Sequence, residues 1–239
     1  MNYAYLYINR LQGQDRVDLF DQLKASIKSL KAMDIDHGSI YIFNDNDPEI
    51  VEFCKEQGCF SRYINTTRNY GGIIDILIEK INILKNFDPA QEVTLLDVDT
   101  LFTNPCPADL WPDKFAVFWS AEYYITQYRN LDKVLPQIPW NELSIRFDSN
   151  FIMYNTGVVY IPKAYRREVC DKALWIADKL NNGDFNPADR YGNKLDEQIG
   201  LSIAAYDMLG RSGRIKTCES FIHHFWQEKT QADKKPWWK

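Results

Sequence analysis

The sequence predicts an α/β domain built on a mainly parallel, Rossmann-like sheet flanked by helices. Along the first hundred residues, short segments rich in aromatic and β-branched residues alternate with amphipathic segments of helical periodicity. This alternation favours parallel strands joined by helices that cover both faces of the sheet. The chain has 239 residues, of which 45% are hydrophobic, so it is long enough to bury a large core. No repeat or low-complexity linker interrupts it, and we expect one domain over residues 1–239.

Three strands and three helices are expected in the first half of the chain. The strands are YAYLYI (3–8), SIYIF (39–43) and VTLL (93–96). The helices cover residues 18–33, a segment that follows Asp47, and about 73–87. Asp47 is placed to cap the second helix because Pro48 suits the first helical position.

The second half of the chain is expected to be less regular at first. Residues 103–150 are rich in proline and aromatic residues, which predicts an elaboration that shapes a pocket. The segment 151–162 resumes a strand pattern, and the residues 155–157 interrupt it as a bulge would. Helices are expected over residues 164–183 and 196–209, and a tail begins near residue 221.

Composition and charge exclude some classes of function. The net charge of −5 and the pI near 5.3 argue against nucleic acid as the main partner. No segment has the pattern of a signal peptide or of a membrane span. The five cysteines are odd in number and show no C-x-x-C spacing, which is typical of reduced thiols. A cytoplasmic protein is therefore expected.

The segment VTLLDVDTLF ends an apolar strand with Asp97 and Asp99. Ligands bind at the carboxyl ends of parallel strands, and two close carboxylates are costly to bury unless a cation compensates them. A divalent metal ion is one interpretation. In the other, each carboxylate accepts backbone N–H groups in a tight turn. Two further Asp-x-Asp sequences, at 34–36 and 45–47, are more simply explained by a turn and a helix cap.

Two chemistries use such a pair. In haloacid-dehalogenase-type phosphatases the first aspartate is a nucleophile and the second a general acid. That pattern fits poorly, because Leu101 stands where threonine or valine is expected and the later acidic motif, Gly183-Asp184 with Asp189, does not follow a strand. In sugar transfer from a nucleotide-diphosphate donor, the carboxylates hold Mn²⁺ or Mg²⁺ against the diphosphate.

The C-terminal segment contains residue types that sugar transfer requires. HHFW carries two of the three histidines, and a neutral imidazole suits Mn²⁺. KKPWW sets lysines beside aromatic residues, and lysine binds phosphate as a point charge. The alternative is a partly buried histidine pair followed by a solvated tail.

These segments together resemble the GT-A-type glycosyltransferases of family 8, which include glycogenin and the bacterial lipopolysaccharide galactosyltransferases. The resemblance runs from near the first residue to the last. In chain order it rests on YAYLYINR, the basic residue Lys80, LLDVDTLF, YNTGVVYIP, LDEQIGL and HHFWQEKTQADKKPW. It implies a GT-A fold with a nucleotide-binding part at 1–102 and, at 103–239, an acceptor-side part with a closing tail.

The resemblance implies a role for each matching residue. Asp97, Asp99 and His224 would hold the metal, Mn²⁺ or Mg²⁺. Lys235 would contact the diphosphate, and Lys80 the donor's phosphate or sugar. The remaining donor-binding positions are in the first strand, in the Asp-x-Asp segment and in the Asn-x-Gly segment: Tyr7, Ile8, Asn9, Val98, Asn155 and Gly157.

The catalytic positions implied by the resemblance are Asp196, Glu197 and Gln198. Asp196 would line the donor-sugar pocket, and either Glu197 or Gln198 would face the anomeric carbon. Family members often read Asp-Gln-Asp at this place, so the sequence leaves the choice between these two residues open.

The expected function is metal-dependent transfer of a sugar from a nucleotide-diphosphate donor to an acceptor hydroxyl. The resemblance implies UDP as the nucleotide and transfer with retention of the anomeric configuration. The acceptor class, whether glycan, lipid-linked or protein, stays open. The alternatives are the phosphatase and a non-catalytic domain that binds nucleotide sugars. The segment from about Phe221 to Trp238 is expected to fold over the donor.

Overall fold

A seven-stranded, mostly parallel sheet forms the centre of the protein. The structure is a computed structural model that describes residues 1–8, 14–34, 37–64, 74–111, 114–124, 135–138, 140–144, 152–181, 196–209 and 214–225. The strands of the chain are β1 (Asn2–Tyr7), β2 (Ile40–Asn44), β3 (Phe60–Tyr63), β4 (Val93–Leu96), β5 (Thr100–Phe102), β6 (Ala116–Phe118), β7 (Ala121–Tyr124), β8 (Ile152–Tyr154), β9 (Val158–Tyr160), β10 (Ile215–Thr217) and β11 (Ile222–His224).

The central sheet has the strand order β10-β6-β9-β4-β1-β2-β3. Within it, β9 is antiparallel to both of its neighbours, and the other pairs are parallel. Two small antiparallel pairs, β5 with β11 and β7 with β8, lie outside it. The sheet class predicted from the alternation of strands and helices is therefore confirmed.

Within the described ranges, five α-helices connect or cover the strands. They are α1 (Gln14–Met33), α2 (Pro48–Gln57), α3 (Ile74–Asn86), α4 (Lys163–Asn181) and α5 (Asp196–Leu209), and two short 3-10 turns lie at Leu135–Gln137 and Trp140–Glu142. Asp47 caps α2 as predicted, because its Oδ1 atom accepts a hydrogen bond from the backbone N–H of Glu49 at 2.9 Å. None of the helices in the described parts of the chain is long and apolar enough to cross a membrane.

The core has one layer on each face of the sheet. Side chains alternate along a strand, and Tyr3, Tyr5 and Tyr7 of β1 lie on the same side as α1 and α2. Ala4 belongs to the opposite layer, where α3, α4 and α5 pack. The helices α4 and α5 approach closely there, because a Cβ atom at Gly200 would lie 2.6 Å from the carbonyl oxygen of Ala173.

Two expectations need correction. The pattern at 151–162 is not one bulged strand, because β8 pairs with β7 while β9 enters the central sheet, and residues 155–157 are the turn between them. The elaboration at 103–150 contributes strands of its own, β6 and β7. Residues 222–224, at the start of the predicted tail, are part of a β-strand, β11.

Candidate metal and donor site

The aspartate pair occupies a tight turn at the carboxyl end of β4. Asp97 follows β4 directly, and β5 begins at Thr100. The backbone N–H of Asp97 donates to the carbonyl of Gly157 at 2.8 Å, and that of Thr100 donates to the carbonyl of Asp97 at 3.2 Å. The side chain of Asp97 is 22% exposed and that of Asp99 only 2%. The turn thus holds one carboxylate at the surface of the site and the other inside it.

His224 reaches the aspartates because β11 pairs with β5. In this antiparallel pair His224 lies opposite Thr100, and the backbone N–H of Phe225 donates to the carbonyl of Asp99 at 3.0 Å. Nε2 of His224 lies 3.3 Å from Oδ1 of Asp99 and 3.5 Å from Oδ2 of Asp97. One ligand atom from each of these three residues lies within 4.8 Å of the others.

Asn155 sets the orientation of the imidazole ring. Its Oδ1 atom accepts a hydrogen bond from the backbone N–H of Gly157 at 2.8 Å, so this atom is an acceptor. Nδ1 of His224, at 2.9 Å from the same Oδ1, must therefore carry a proton and donate it. In the neutral ring, the lone pair of Nε2 then faces the two carboxylates, an arrangement that a cation stabilises.

The ring of His224 is enclosed on two further sides. A Cβ atom at position 157 would lie 2.3 Å from Nδ1 and 2.4 Å from Cε1 of the imidazole, so only glycine leaves room for it. The indole of Trp119 packs edge-on against the ring at a centroid distance of 5.3 Å. Nε1 of Trp119 donates to the carbonyl of Ile222 at 2.7 Å, which fixes the indole to β11.

Lys80 is a buried cation beside the cluster. Its side chain is 9% exposed, and its Nζ atom lies 2.5 Å from Oδ1 of Asp97. Burial on its own lowers the pKa of this ammonium group. The charges of Asp97, Glu197 and Asp99 outweigh that effect and raise the pKa above its usual value, so Lys80 stays protonated.

Glu197 adds a third carboxyl group to the site. It is 2% exposed, and its Oε2 atom accepts a hydrogen bond from Oγ1 of Thr156 at 3.0 Å. Burial raises the pKa of Glu197 to about 7, and the charge of Lys80 opposes that rise. Its neighbours Asp196 and Gln198, at the start of α5, are buried as well. The carboxyl groups of Asp97, Asp99 and Glu197 thus all act on the single ammonium group of Lys80. An additional positive charge would therefore be favourable at this site.

A chain of buried hydroxyl groups supports the aspartate turn from below. Oγ1 of Thr100 donates to the carbonyl of Asp97 at 2.7 Å. Since that proton is used, Ser26 must donate to Thr100 across 3.1 Å, and Tyr5 in turn to Ser26 across 3.0 Å. Burial raises the pKa of Tyr5, so the phenol keeps the proton that this chain requires.

Solved structures of similar architecture are glycosyltransferases. The chain matches the galactosyltransferase LgtC in complex with donor and acceptor sugar analogs with a TM-score of 0.54, at 13% identity, over 86% of this chain and 72% of that chain. An active-site mutant of LgtC gives a TM-score of 0.52 at 13% identity, covering 91% of this chain and 72% of that chain. The apo form of mouse xyloside xylosyltransferase 1 gives a TM-score of 0.52 at 9% identity, covering 91% of this chain and 85% of that chain.

The chain has the GT-A fold. The resemblance implied by the motifs is confirmed at this level, and the neighbours are GT-A glycosyltransferases. Identities this low establish the GT-A fold alone. No family model matches the sequence, and no curated protein does.

The GT-A fold brings together most of the predicted site residues that the structure describes. Asp97, Asp99 and His224 form a possible metal site, with Lys80 and Glu197 beside it. Asn155 and Gly157 also lie there. Asn155 is hydrogen-bonded to the imidazole of His224, and Gly157 packs against it. The predictions for Asn9 and Lys235 lie outside the described residues, as do Gly183, Asp184 and Asp189 of the phosphatase alternative.

Three predicted nucleotide-binding residues have buried side chains in this GT-A domain. Tyr7, at the carboxyl end of β1, is 1% exposed, and its ring packs edge-on against Phe20 at 6.1 Å. Ile8 is 7% exposed and Val98 8%. Their role toward a nucleotide stays a prediction.

Several residues that shape the site could not be predicted from the sequence. Thr156 is the variable middle residue of the Asn-x-Gly segment, yet its hydroxyl donates a hydrogen bond to Glu197. Thr100, Ser26 and Tyr5 are hydroxyl residues in apolar segments, where they look like ordinary core positions. Only their convergence in three dimensions reveals the chain that they form.

Proposed function

We propose that this protein is a metal-dependent glycosyltransferase that moves a sugar from a nucleotide-diphosphate donor, UDP by resemblance, to an acceptor hydroxyl with retention. The observation that supports this most directly is the convergence of Asp97, Asp99 and Nε2 of His224 on one point of a GT-A fold. Solved neighbours named as a galactosyltransferase and a xylosyltransferase point to the same reaction class.

The donor set fits a divalent cation. Two carboxylates supply hard oxygen ligands, and one imidazole supplies a nitrogen ligand, a combination that suits Mn²⁺ and also admits Mg²⁺. Asn155 keeps the lone pair of Nε2 directed at the aspartates, as an outer ligand partner should. A cation held there would neutralise charge on the departing nucleoside diphosphate.

Lys80 has two tasks in this proposal. In the structure it neutralises Asp97 across 2.5 Å. Because it is buried and stays protonated, it offers a fixed positive charge to the donor's phosphate or sugar when a metal ion takes over Asp97.

Glu197, and not Gln198, is the group that we place toward the anomeric carbon. Thr156 fixes one of its oxygens, and Lys80 and Asp97 act on its charge, which puts the carboxyl next to the metal ligands. The other oxygen, Oε1, is buried and has no hydrogen-bond partner among the described residues. Asp196, at the first position of the same helix, is assigned to the donor-sugar pocket.

The remaining donor contacts follow from the resemblance. The segment Tyr7–Asn9 and Val98 would hold the nucleoside, and Lys235 would grip the diphosphate when the C-terminal residues close over it. Asn155 and Gly157 were expected in the donor-sugar pocket. We propose instead that they act mainly on His224, because the structure shows both against its ring.

We also propose a cytoplasmic location. All five cysteines lie within the described residues and are free thiols. Cys54, Cys170 and Cys218 are buried, and burial raises their pKa, so they are protected and unreactive. This is the state expected in a reducing compartment.

Titration of UDP with and without Mn²⁺ tests the proposed function. We expect UDP binding that depends on Mn²⁺, a rise in melting temperature with both ligands, and hydrolysis or transfer with at least one member of a panel of UDP-sugars. Asp99→Asn should abolish all three. Asp47→Asn is the matched control, because asparagine caps a helix as well as aspartate does and the residue belongs to an Asp-x-Asp sequence away from the site.

Each alternative has its own outcome in this experiment. Metal-dependent UDP binding without turnover of any donor would indicate a non-catalytic binding domain. Release of phosphate from simple monoesters would indicate the phosphatase, to which the GT-A fold gives no support. Absence of metal and UDP binding would overturn the proposal.

A further inference from the structure

A cavity of about 430 Å³ lies at the outer edge of the central sheet, apart from the aspartate cluster. One wall is formed by the sheet and consists of Phe43 from β2 with Tyr63 and Ile64 at the end of β3. The other wall is formed by α3. We call this cavity the edge groove.

The wall that α3 contributes carries polar side chains at helical spacing. Glu79, Asn82, Ile83 and Asn86 line it, and positions separated by three and four residues share one face of a helix. The amide groups of Asn82 and Asn86 make no hydrogen bond to other described residues, so their donors and acceptors are available. Lys80, the next residue after Glu79, points instead to Asp97. One helix therefore serves two separate sites.

Tyr63 is the exposed aromatic side of the edge groove. It is 63% exposed, and the only other large hydrophobic residue exposed in the described parts of the chain is Phe60, at 48%. Phe60 stacks on Tyr41 at a centroid distance of 5.2 Å and does not line the groove. Tyr63 has no such ring partner among the described residues.

We propose that the edge groove binds a neutral saccharide. A lining that combines the aromatic side chains of Phe43 and Tyr63 with the amides of Asn82 and Asn86 matches the chemistry of a sugar ring, whose C–H face is apolar and whose rim is made of hydroxyl groups. The volume admits one or two sugar rings. Anionic ligands are disfavoured, because none of the described lining residues is cationic and could pair with a negative charge.

Ligand-observed NMR with uncharged probes tests the proposal directly. The probes are methyl α-glucopyranoside, methyl β-galactopyranoside, methyl β-xylopyranoside, N-acetylglucosamine and maltotriose, with glucuronic acid as the charged comparison. EDTA is present and nucleotide is absent, so the outcome does not depend on the proposed transferase activity. We expect at least one neutral probe to bind at about 10 mM or below and glucuronic acid to bind more weakly.

Variants at the two walls and at a matched position locate the binding. Tyr63→Ala and Asn82→Ala should each weaken the affinity about fivefold or more, since each removes one half of the recognition chemistry. Phe60→Ala is the control, because it removes an exposed aromatic residue from the same strand but outside the groove. Circular dichroism confirms that each variant is folded. Binding by none of the neutral probes, or equal binding by Tyr63→Ala, Asn82→Ala and Phe60→Ala, would overturn the proposal.

Discussion

Nδ1 of His224 donates a hydrogen bond of 2.9 Å to Oδ1 of Asn155, two residues that are 69 positions apart in the sequence. This bond decides which imidazole nitrogen faces the aspartates. Asn155→Ala should therefore weaken Mn²⁺ binding by about 10- to 100-fold, as losses of outer ligand partners do. Isothermal titration with Mn²⁺ measures the change. Asn155→Asp retains an acceptor and should retain most of the affinity, whereas wild-type affinity in Asn155→Ala would contradict the assignment.

Gly157→Ala should displace the imidazole ring. The added Cβ atom would lie 2.3 Å from Nδ1 of His224, inside any acceptable contact distance. We expect Mn²⁺ affinity to fall at least as far as in Asn155→Ala, measured by the same titration. Gly58→Ala is the control, because Gly58 has φ 64° but open space around it, so the substitution strains the backbone without touching the site. An equal loss of Mn²⁺ affinity in both variants would argue against a specific effect on His224.

A truncation placed after Phe225 isolates the role of the last residues. Such a chain keeps β11 and His224, so Mn²⁺ binding should survive. UDP affinity and turnover should fall, because Lys235 is removed, and Lys235→Ala in the full chain should lose about 1.5–3 kcal/mol of transition-state stabilisation. Enzyme kinetics with a UDP-sugar donor measure this loss. A truncated chain with unchanged turnover would show that these residues are a solvated tail.

Thr100→Val should loosen the aspartate turn. It removes the hydroxyl that donates to the carbonyl of Asp97 and accepts from Ser26. The buried Ser26 hydroxyl then loses its acceptor, at a cost of about 1–3 kcal/mol in the free energy of unfolding. Mn²⁺ affinity should fall with it, and Thr100→Ser should restore both. Thr94→Val is the contrast: the Thr94 hydroxyl is buried without a partner among the described residues, so this variant should be neutral or stabilising in urea unfolding. A neutral Thr100→Val would count against the hydroxyl chain.

Because Glu197 is a buried acid, we expect the free energy of unfolding of the metal-free protein to change with pH. Its pKa rises from 4.5 to about 7 on folding, mainly because of burial. Between these values the folded state holds a proton that the unfolded state releases. The stability that this proton contributes is therefore fully present below pH 4.5 and is lost as the pH rises through 7. The loss in the free energy of unfolding is on the order of 3 kcal/mol.

Glu197→Gln should remove this dependence. Urea unfolding in EDTA at about pH 5 and about pH 8 compares the variant with the wild type, and the difference cancels the other titrating groups. The wild type should lose more stability than the variant on going to the higher pH. Equal losses would mean that Glu197 is not the buried acid described here.

The sequence was informative about the possible metal site because of its context: of the three Asp-x-Asp sequences, those at 34–36 and 45–47 are explained by a turn and a helix cap, whereas the pair at 97 and 99 directly follows an apolar strand. The family resemblance implied Asp97, Asp99 and His224 as one ligand set, and in the structure one ligand atom from each lies within 4.8 Å of the others. Strand and helix alternation likewise predicted β1, β2 and β4, whose residues pack with period two.

The short strands were not predictable in the same way. β5, β6 and β11 have three residues each, too few for a periodicity to show, and they form because of partners far along the chain. The role of Asn155 stays a prediction for a related reason. A motif gives the residue type, but the choice between a sugar and an imidazole as its partner depends on where β11 lies.

The pairing of β5 with β11 has a consequence for folding during synthesis. Thr103 and Phe221, which join these strands, are 118 positions apart, so the ribosome completes the aspartate turn long before it makes the partner strand. At ordinary elongation rates the interval is on the order of ten seconds. Until then the nascent chain has its two aspartates but not the imidazole of His224. We expect a chain to acquire a tight metal site only after residue 224 has emerged and docked, so that metal occupancy marks the end of folding and distinguishes finished molecules from arrested ones.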